Sequence, residues 1–292
     1  MRNRKSSFKK GIGGWVYDII VYGTLSLLAV SILYVVMYLL SLSLSGYGAS
    51  LNTIKLWPVN FTLDNYKTIL GYRYVHTGYI NTIKRVVLGV SIEIILCLLT
   101  GYVLSRKNLP NRTLWTGMIV LTMFVSGGLI PFYILMRNLN LMNTIWSLVL
   151  PGAIPTYSML LVRNYIMALP DSLEESAKID GANDFVCLFR IVIPVITPII
   201  ACLALWGVVG HWNAWFDSML YIRDMDKQVL QTVVQKFTRA GGELDRAKTT
   251  EEIPPETLKA AIIFTATFPV LVAYPFFQRF FVKGILVGSL KG

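Results

Sequence analysis

Six long apolar runs restrict this chain more than any other feature: Ile19 to Leu42, Val86 to Ser105, Thr113 to Met136, Thr144 to Val162, Ile191 to Phe216 and Ala260 to Gln278. A helix of about 20 apolar residues crosses a hydrocarbon core about 30 Å thick. A helix of a soluble bundle would show a polar stripe every third or fourth residue. These runs show none, and Glu93 alone interrupts one with an acid. The expected fold class is therefore an all-α integral membrane protein with six transmembrane helices. Composition agrees: 15% of the 292 residues are charged and 54% hydrophobic, against about 25% charged in an ordinary soluble domain. Such a chain cannot coat a water-exposed surface, and it is far too apolar for intrinsic disorder.

Arg2, Arg4, Lys5, Lys9 and Lys10 precede the first run. That run is about twice the 7 to 15 residues of a secretory signal core and lacks a clear A-x-A cleavage site, so it reads as a retained span. The net charge of +11 has three ordinary meanings: nucleic acid, anionic lipid, or the cytoplasmic edge of a membrane protein. The low charge density selects the last and argues against a nucleic-acid partner. Basic residues near the span ends barely distinguish the two orientations overall, and the dense N-terminal cluster decides in favour of both termini inside. The resulting map has a cytoplasmic basic tail at 1–18, a six-span domain at 19–278 and a cytoplasmic tail at 279–292. Within the domain lie an inner hairpin at 170–194 and an outer loop at 217–257. Cys187 is the one cysteine this map places in an aqueous loop. The three cysteines make no C-x-x-C, disulfide framework or zinc site.

Enzyme chemistry has nothing to rest on. No G-x-x-x-x-G-K-[ST] loop is present to cradle ATP, and no G-x-S-x-G elbow. His76 and His211 are far apart and lack H-E-x-x-H spacing. A proton-coupled carrier usually needs several intramembrane ionisable groups and shows internal repeats. Here Glu93 is the one acid well inside a run, and it reads either as a hydrogen bond between spans or as part of a pathway.

Gly127, Gly128 and Pro131 interrupt the third run, Pro151, Gly152 and Pro155 the fourth, Pro194 and Pro198 the start of the fifth, and Pro269 and Pro275 the sixth. Proline removes an i to i−4 hydrogen bond and bends a helix, and bent spans leave room for a cavity. The fifth run closes on His211, Trp212, Asn213, Ala214, Trp215, Phe216, Asp217. Trp is frequent at membrane interfaces, and aromatic faces beside amide and carboxylate groups also suit sugar rings. Trp212, Asn213, Trp215 and Asp217, with Glu93, are thus candidates for a substrate pathway or a contact with a binding protein.

The richest segment runs from Pro170 to Pro198, PDSLEESAKIDGANDFVCLFRIVIPVITP. Ser172 with Glu175 three residues on reads as a capping box. Gly181 stands where a helix would stop, and Asn183 can cap a second helix through Arg190. Asp171, Glu174, Glu175, Asp180 and Asp184 outnumber Lys178 and Arg190, so this helix–turn–helix is acidic on a side where positive charge is usual. A docking surface explains that better than an anchor to anionic lipid.

Glu175, Ser176, Ala177, then Asp180, Gly181, Ala182, then Ile191 and Pro194 resemble the E-A-A...D-G-A...I-x-x-P signature of permease subunits in binding-protein-dependent ABC importers, departing at Ser176, where alanine is usual. The likeness is closest to the carbohydrate-uptake type, like the second permease of maltose importers. Pro58, Phe61, Thr62, Asn65 and Tyr66 match the stretch before the second span there, Tyr102 and Arg106 match the end of that span, and Gln278 to Gly292 resemble the short C-terminal tail. The resemblance implies the type I ABC importer permease fold and no catalysis in this chain. Its implied partners are a homologous second permease, two ATPase subunits that bind ATP and Mg, an extracytoplasmic solute-binding protein, a carbohydrate and the bilayer of a bacterial cytoplasmic membrane. Glu174, Glu175, Ser176, Ala177, Asp180, Gly181, Ala182 and Pro194 would form the coupling hairpin seated in the ATPase. The long loop Asp217–Thr257, with Leu230, Gln231, Thr232, Val233, Val234 and Gln235, resembles the subgroup handling polysaccharide-derived oligosaccharides, acidic ones such as alginate or pectin fragments included. The alternatives are an ABC permease for another solute such as peptides, and a secondary carrier.

Overall fold

The computed structural model describes residues 12–46, 56–239 and 255–289. Residues 1–11 of the basic tail, residues 47–55, residues 240–254 of the outer loop and the last three residues therefore lie outside the described residues. Among the described residues there is no β-strand, only an isolated bridge between Ser45 and Phe61.

The helices are α1 (Ile12–Ser43), α2 (Asp64–Gly71), α3 (Arg73–Ser105), α4 (Arg112–Phe124), α5 (Leu129–Asn138), α6 (Trp146–Val149), α7 (Thr156–Met167), α8 (Asp171–Ile179), α9 (Asp184–Val186), α10 (Ile193–Val195), α11 (Thr197–Asn213), α12 (Phe216–Tyr221), α13 (Leu230–Arg239) and α14 (Pro255–Ser289). A π-helical turn, Cys187–Val192, joins α9 to α10, and a 3₁₀ turn, Met225–Lys227, precedes α13.

Three continuous stretches, 13–43, 73–105 and 256–273, are long and apolar enough to cross a membrane. Two bent pairs bring the number to five if each is one span: α4 with α5 at 111°, and residues 184–195 with α11 at 81°. The first bend falls at Gly128, whose φ is +83°. The second falls at Ile196, two residues past Pro194. The run Thr144 to Val162 is divided between α6 and α7, as Pro151, Gly152 and Pro155 suggest. By contrast, Pro269 and Pro275 lie inside an unbroken α14. Neighbouring side chains can re-satisfy the carbonyls that proline frees in a membrane helix, and Tyr79 does so here for Pro269, with Trp212 bonding the next carbonyl along. The Tyr79 hydroxyl donates to the Thr265 carbonyl at 2.5 Å, and Trp212 Nε1 donates to the Ala266 carbonyl at 3.0 Å.

The chain divides into two units, residues 1–69 with 241–264, and residues 70–240 with 265–292. In the first, α1 is apolar on all sides, and most of its side chains, among them Tyr22, Leu27 and Val30, are exposed, as suits a helix facing lipid. Asn65 is fully buried at its foot. Its Nδ2 donates to the carbonyls of Ser43 (2.9 Å) and Ser45 (2.8 Å), and its Oδ1 accepts from Thr257 Oγ1 at 3.1 Å. Tyr66 shares a 2.6 Å hydrogen bond with Ser43. Two of the residues that carry the resemblance before the second span are thus the latch between α1, α2 and the start of α14.

The second unit is organised on α3, which packs against α7, α11 and α13. Cys97, Leu98 and Tyr102 of α3 meet Met159, Val162 and Ile166 of α7, with Leu188, Val192 and Leu203 completing that core. At Gly89 a side chain would meet the His211 ring 2.3 Å away, so glycine is what lets α11 lie this close.

Candidate functional site

The hairpin forms as helix, glycine turn, helix. Gly181 takes φ +85°, a left-handed state that glycine reaches without steric cost. Its N–H bonds the Lys178 carbonyl (3.0 Å) and that of Ala182 bonds the Ala177 carbonyl (2.9 Å), closing α8. Asn183 caps α9 by accepting from Val186 N at 2.9 Å. The expected cap at Ser172 is displaced. Helix α8 starts two residues earlier, with Pro170 at the cap position and no side-chain cap. Proline pre-sets the backbone there and Asp171 supplies negative charge to the helix N-terminus, while Glu175 points outward and closes no capping box.

The two faces of α8 separate its acids. Ala177 is its one buried residue. Glu174 turns inward and contacts the Arg106 guanidinium at the end of α3, which also lies 3.7 Å from Asp184 and 3.9 Å over the Tyr102 ring. Burial pushes the Glu174 carboxyl up and the Arg106 guanidinium down, so each charge depends on the other's presence. Lys107–Asp171 (2.5 Å) and Lys178–Asp184 (3.2 Å) are exposed pairs. Glu175, Ser176, Asp180 and Gly181 are exposed, as are Ile179 (86%), Phe185 (69%) and Phe189 (57%). Ala182 is half-buried, and Pro194 is exposed on α10. Cys187, expected in an aqueous loop, is instead fully buried, because the π-helical turn rolls this side of the second arm inward with Leu188 and Val192.

The aromatic cluster also divides. Trp212 is buried, its indole spent on the Ala266 carbonyl and its ring 6.2 Å from Tyr79. Asp217 receives both terminal nitrogens of Arg85, a side chain 4% exposed, one of them at 3.0 Å. Arg85 Nε reaches His211 Nδ1 at 3.3 Å. Asn213 is exposed; Trp215 carries the Arg239 guanidinium 5.1 Å over its ring and packs edge-on against Phe216. Glu93 is buried where α3 meets α11, its Oε2 2.9 Å from where a Cβ on Gly207 would sit, and no hydrogen bond joins it to another described residue. The five candidates therefore do not converge on one surface.

Arg85, Tyr79 and Arg239 went unflagged as partners. Because Val86 opens the apolar run, Arg85 counts as loop in the sequence, whereas α3 begins at Arg73. A basic residue one step before an apolar run, with an acid one step after another, was the available signal.

The family of binding-protein-dependent transport system inner membrane components matches residues 98–216, which contain the hairpin and most of the aromatic cluster. The polygalacturonan/rhamnogalacturonan transport system permease protein YtcP of Bacillus subtilis (strain 168) is 33% identical over 282 residues, 95% of this chain and 99% of that protein. The chain belongs to this transport-permease family. Another relative, the maltodextrin transport system permease protein MalD of Streptococcus pneumoniae (strain ATCC BAA-255 / R6), is 27% identical across 92% of this chain and 94% of its own length. Among solved structures, a chain of a bacterial ABC transporter involved in the import of the acidic polysaccharide alginate superposes with a TM-score of 0.83 at 29% identity, covering 93% of this permease and 99% of that chain. The all-helical, multi-pass membrane fold is thus that of the transport permeases, and the hairpin lies within the family's matched region.

Proposed function

We propose that this permease is one half of the membrane pore of an ATP-driven importer of oligosaccharides, and that its substrates are acidic fragments of polysaccharides. Hairpin 170–194 faces the cytoplasm with both termini, and the spans number six, the divided run Thr144 to Val162 included. Glu175, Ile179 and Phe185 enter a cleft of an ATPase subunit; ATP and Mg are bound there and not by this chain. A homologous permease completes the pore, and an extracytoplasmic binding protein delivers the sugar to the outer face near Asn213 and Trp215.

The observation that carries this reading is the exposed face of the hairpin. Large apolar side chains next to an acid that pairs with no other described residue, on a loop whose inward acids are already neutralised, favour a protein partner over water. The relatives' polygalacturonan, rhamnogalacturonan and alginate substrates support the acidic class, and MalD supports a carbohydrate in general.

The test is ATP hydrolysis by the reconstituted importer with its binding protein. Oligogalacturonides should stimulate it, and maltooligosaccharides and peptides should do so weakly or not at all. Glu175→Lys should leave the permease in the membrane and remove the stimulation. Uptake that an uncoupler abolishes and vanadate leaves intact would make the chain a secondary carrier instead.

A further inference from the structure

Helix α8 buries a single residue, Ala177, so apolar packing does little to hold it. Two cavities, of about 350 and 470 Å³, flank its junction with α3, and Arg106 lines both. One side chain spans this gap. From the C-terminal cap of α3, Arg106 contacts Glu174 on the first arm of the hairpin, reaches within 3.7 Å of Asp184 on the second, and lies 3.9 Å over Tyr102 on its own helix. The adjoining pairs, Lys107–Asp171 and Lys178–Asp184, are at least half exposed and of the kind worth little.

The far end of α3 is fastened too, chiefly by buried and part-buried hydrogen bonds. Arg73 pairs with Asp226 at 2.9 Å, Asn81 Nδ2 donates to the carbonyls of Asp226 and Gln228, and Thr82 Oγ1 accepts from Leu230 N at 2.9 Å. A 33-residue helix thus has the hairpin on one end and the start of α13 on the other.

Building on the coupling role given above to the hairpin, we propose that Arg106 is its positioning residue: it ties both arms to α3, so that displacement of the hairpin loads the helix that carries the segment Asp226–Leu230. An arginine suits this task because its planar fork meets two carboxylates while stacking on a ring; a lysine ammonium cannot do all three.

The test uses the full chain in the assembled importer, with Arg106→Glu, Glu174→Arg, the double swap and Arg106→Lys. Cys187, buried in the second arm of the hairpin, serves as a native reporter in a Cys97→Ser/Cys202→Ser background. Each single reversal should raise the maleimide labelling rate of Cys187 and lower trigalacturonate uptake per ATP hydrolysed, each by about tenfold, as breaking a partly buried pair implies. The double swap should return both to within about threefold, and Arg106→Lys should fall between. A loss of fold alone would not be repaired by exchanging the charges. Singles that leave labelling and coupling ratio unchanged, or a swap no better than the singles, would overturn the role. If no saccharide stimulates the wild-type importer, the functional reading falls, and Cys187 labelling alone then upholds or refutes the fastening.

Discussion

Pro269 has no N–H to give the Thr265 carbonyl four residues back, and that is the carbonyl on which the Tyr79 hydroxyl sits at 2.5 Å. Trp212 serves the next carbonyl, that of Ala266. If Tyr79 substitutes for the missing helical bond, Tyr79→Phe should be costly only while residue 269 is proline. An acceptor left without its donor in a buried site costs about 1 to 3 kcal/mol, and hydrogen bonds between membrane helices measure about 0.6 kcal/mol on average, with a maximum near 1.7. About 1 kcal/mol is therefore expected for Tyr79→Phe, whose ring keeps its place beside Trp212. In a Pro269→Ala background the N–H of residue 269 returns, and the same substitution should cost close to nothing. The coupling in this double-mutant cycle should then equal nearly the whole effect, about 1 kcal/mol. Reversible unfolding of the four proteins in mixed micelles measures it. Equal costs of Tyr79→Phe in both backgrounds would refute the reasoning and reduce the bond to an incidental contact.

Two other buried polar groups yield predictions. Asp217→Ala leaves the Arg85 guanidinium buried without its carboxylate and should destabilise by about 3 to 5 kcal/mol, whereas the Arg85→Met/Asp217→Leu pair should recover much of that; thermal unfolding in detergent ranks them. Asn65→Ala deprives the Ser43 and Ser45 carbonyls and Thr257 of their shared partner and should cost about 2 to 3 kcal/mol, with proteolysis of the segment after α1 as the readout, while Asn65→Asp should lose the two donor bonds and be nearly as damaging.

Much of this was legible in the chain, for identifiable reasons. Long uncharged runs report lipid exposure directly, and breaks at Gly128 and Pro151 follow from local backbone chemistry. Gly181 and Asn183 were readable because capping acts within four residues. Ser172 failed as a cap for the same reason it was tempting: Pro170 and Asp171 compete for that role at neighbouring positions. What could not be read were partnerships across long separations. Arg85 and Asp217 lie 132 residues apart, and Tyr79 and Thr265 186 apart, with no period linking them. Trp212 and Asp217 were picked out for the right chemistry, but the fold uses that chemistry internally, and the carbonyl that Pro269 leaves without its helical donor takes one from Tyr79 on another helix.

The acidity of the hairpin takes on a different meaning once the charges are placed. Asp171, Glu174 and Asp184 are met by Lys107, Arg106 and Lys178, so the excess of acids that singled out this segment is largely consumed in joining it to its own chain. Among the described residues, Glu175 and Asp180 form no ion pair, and they stand beside exposed Ile179 and Phe185. A surface so composed binds chiefly by burying apolar area, with one or two charges fixing orientation. The acids that mark the hairpin in the sequence thus serve mostly to hold it, and its apolar side chains are the part left exposed, which is what the proposed docking role requires.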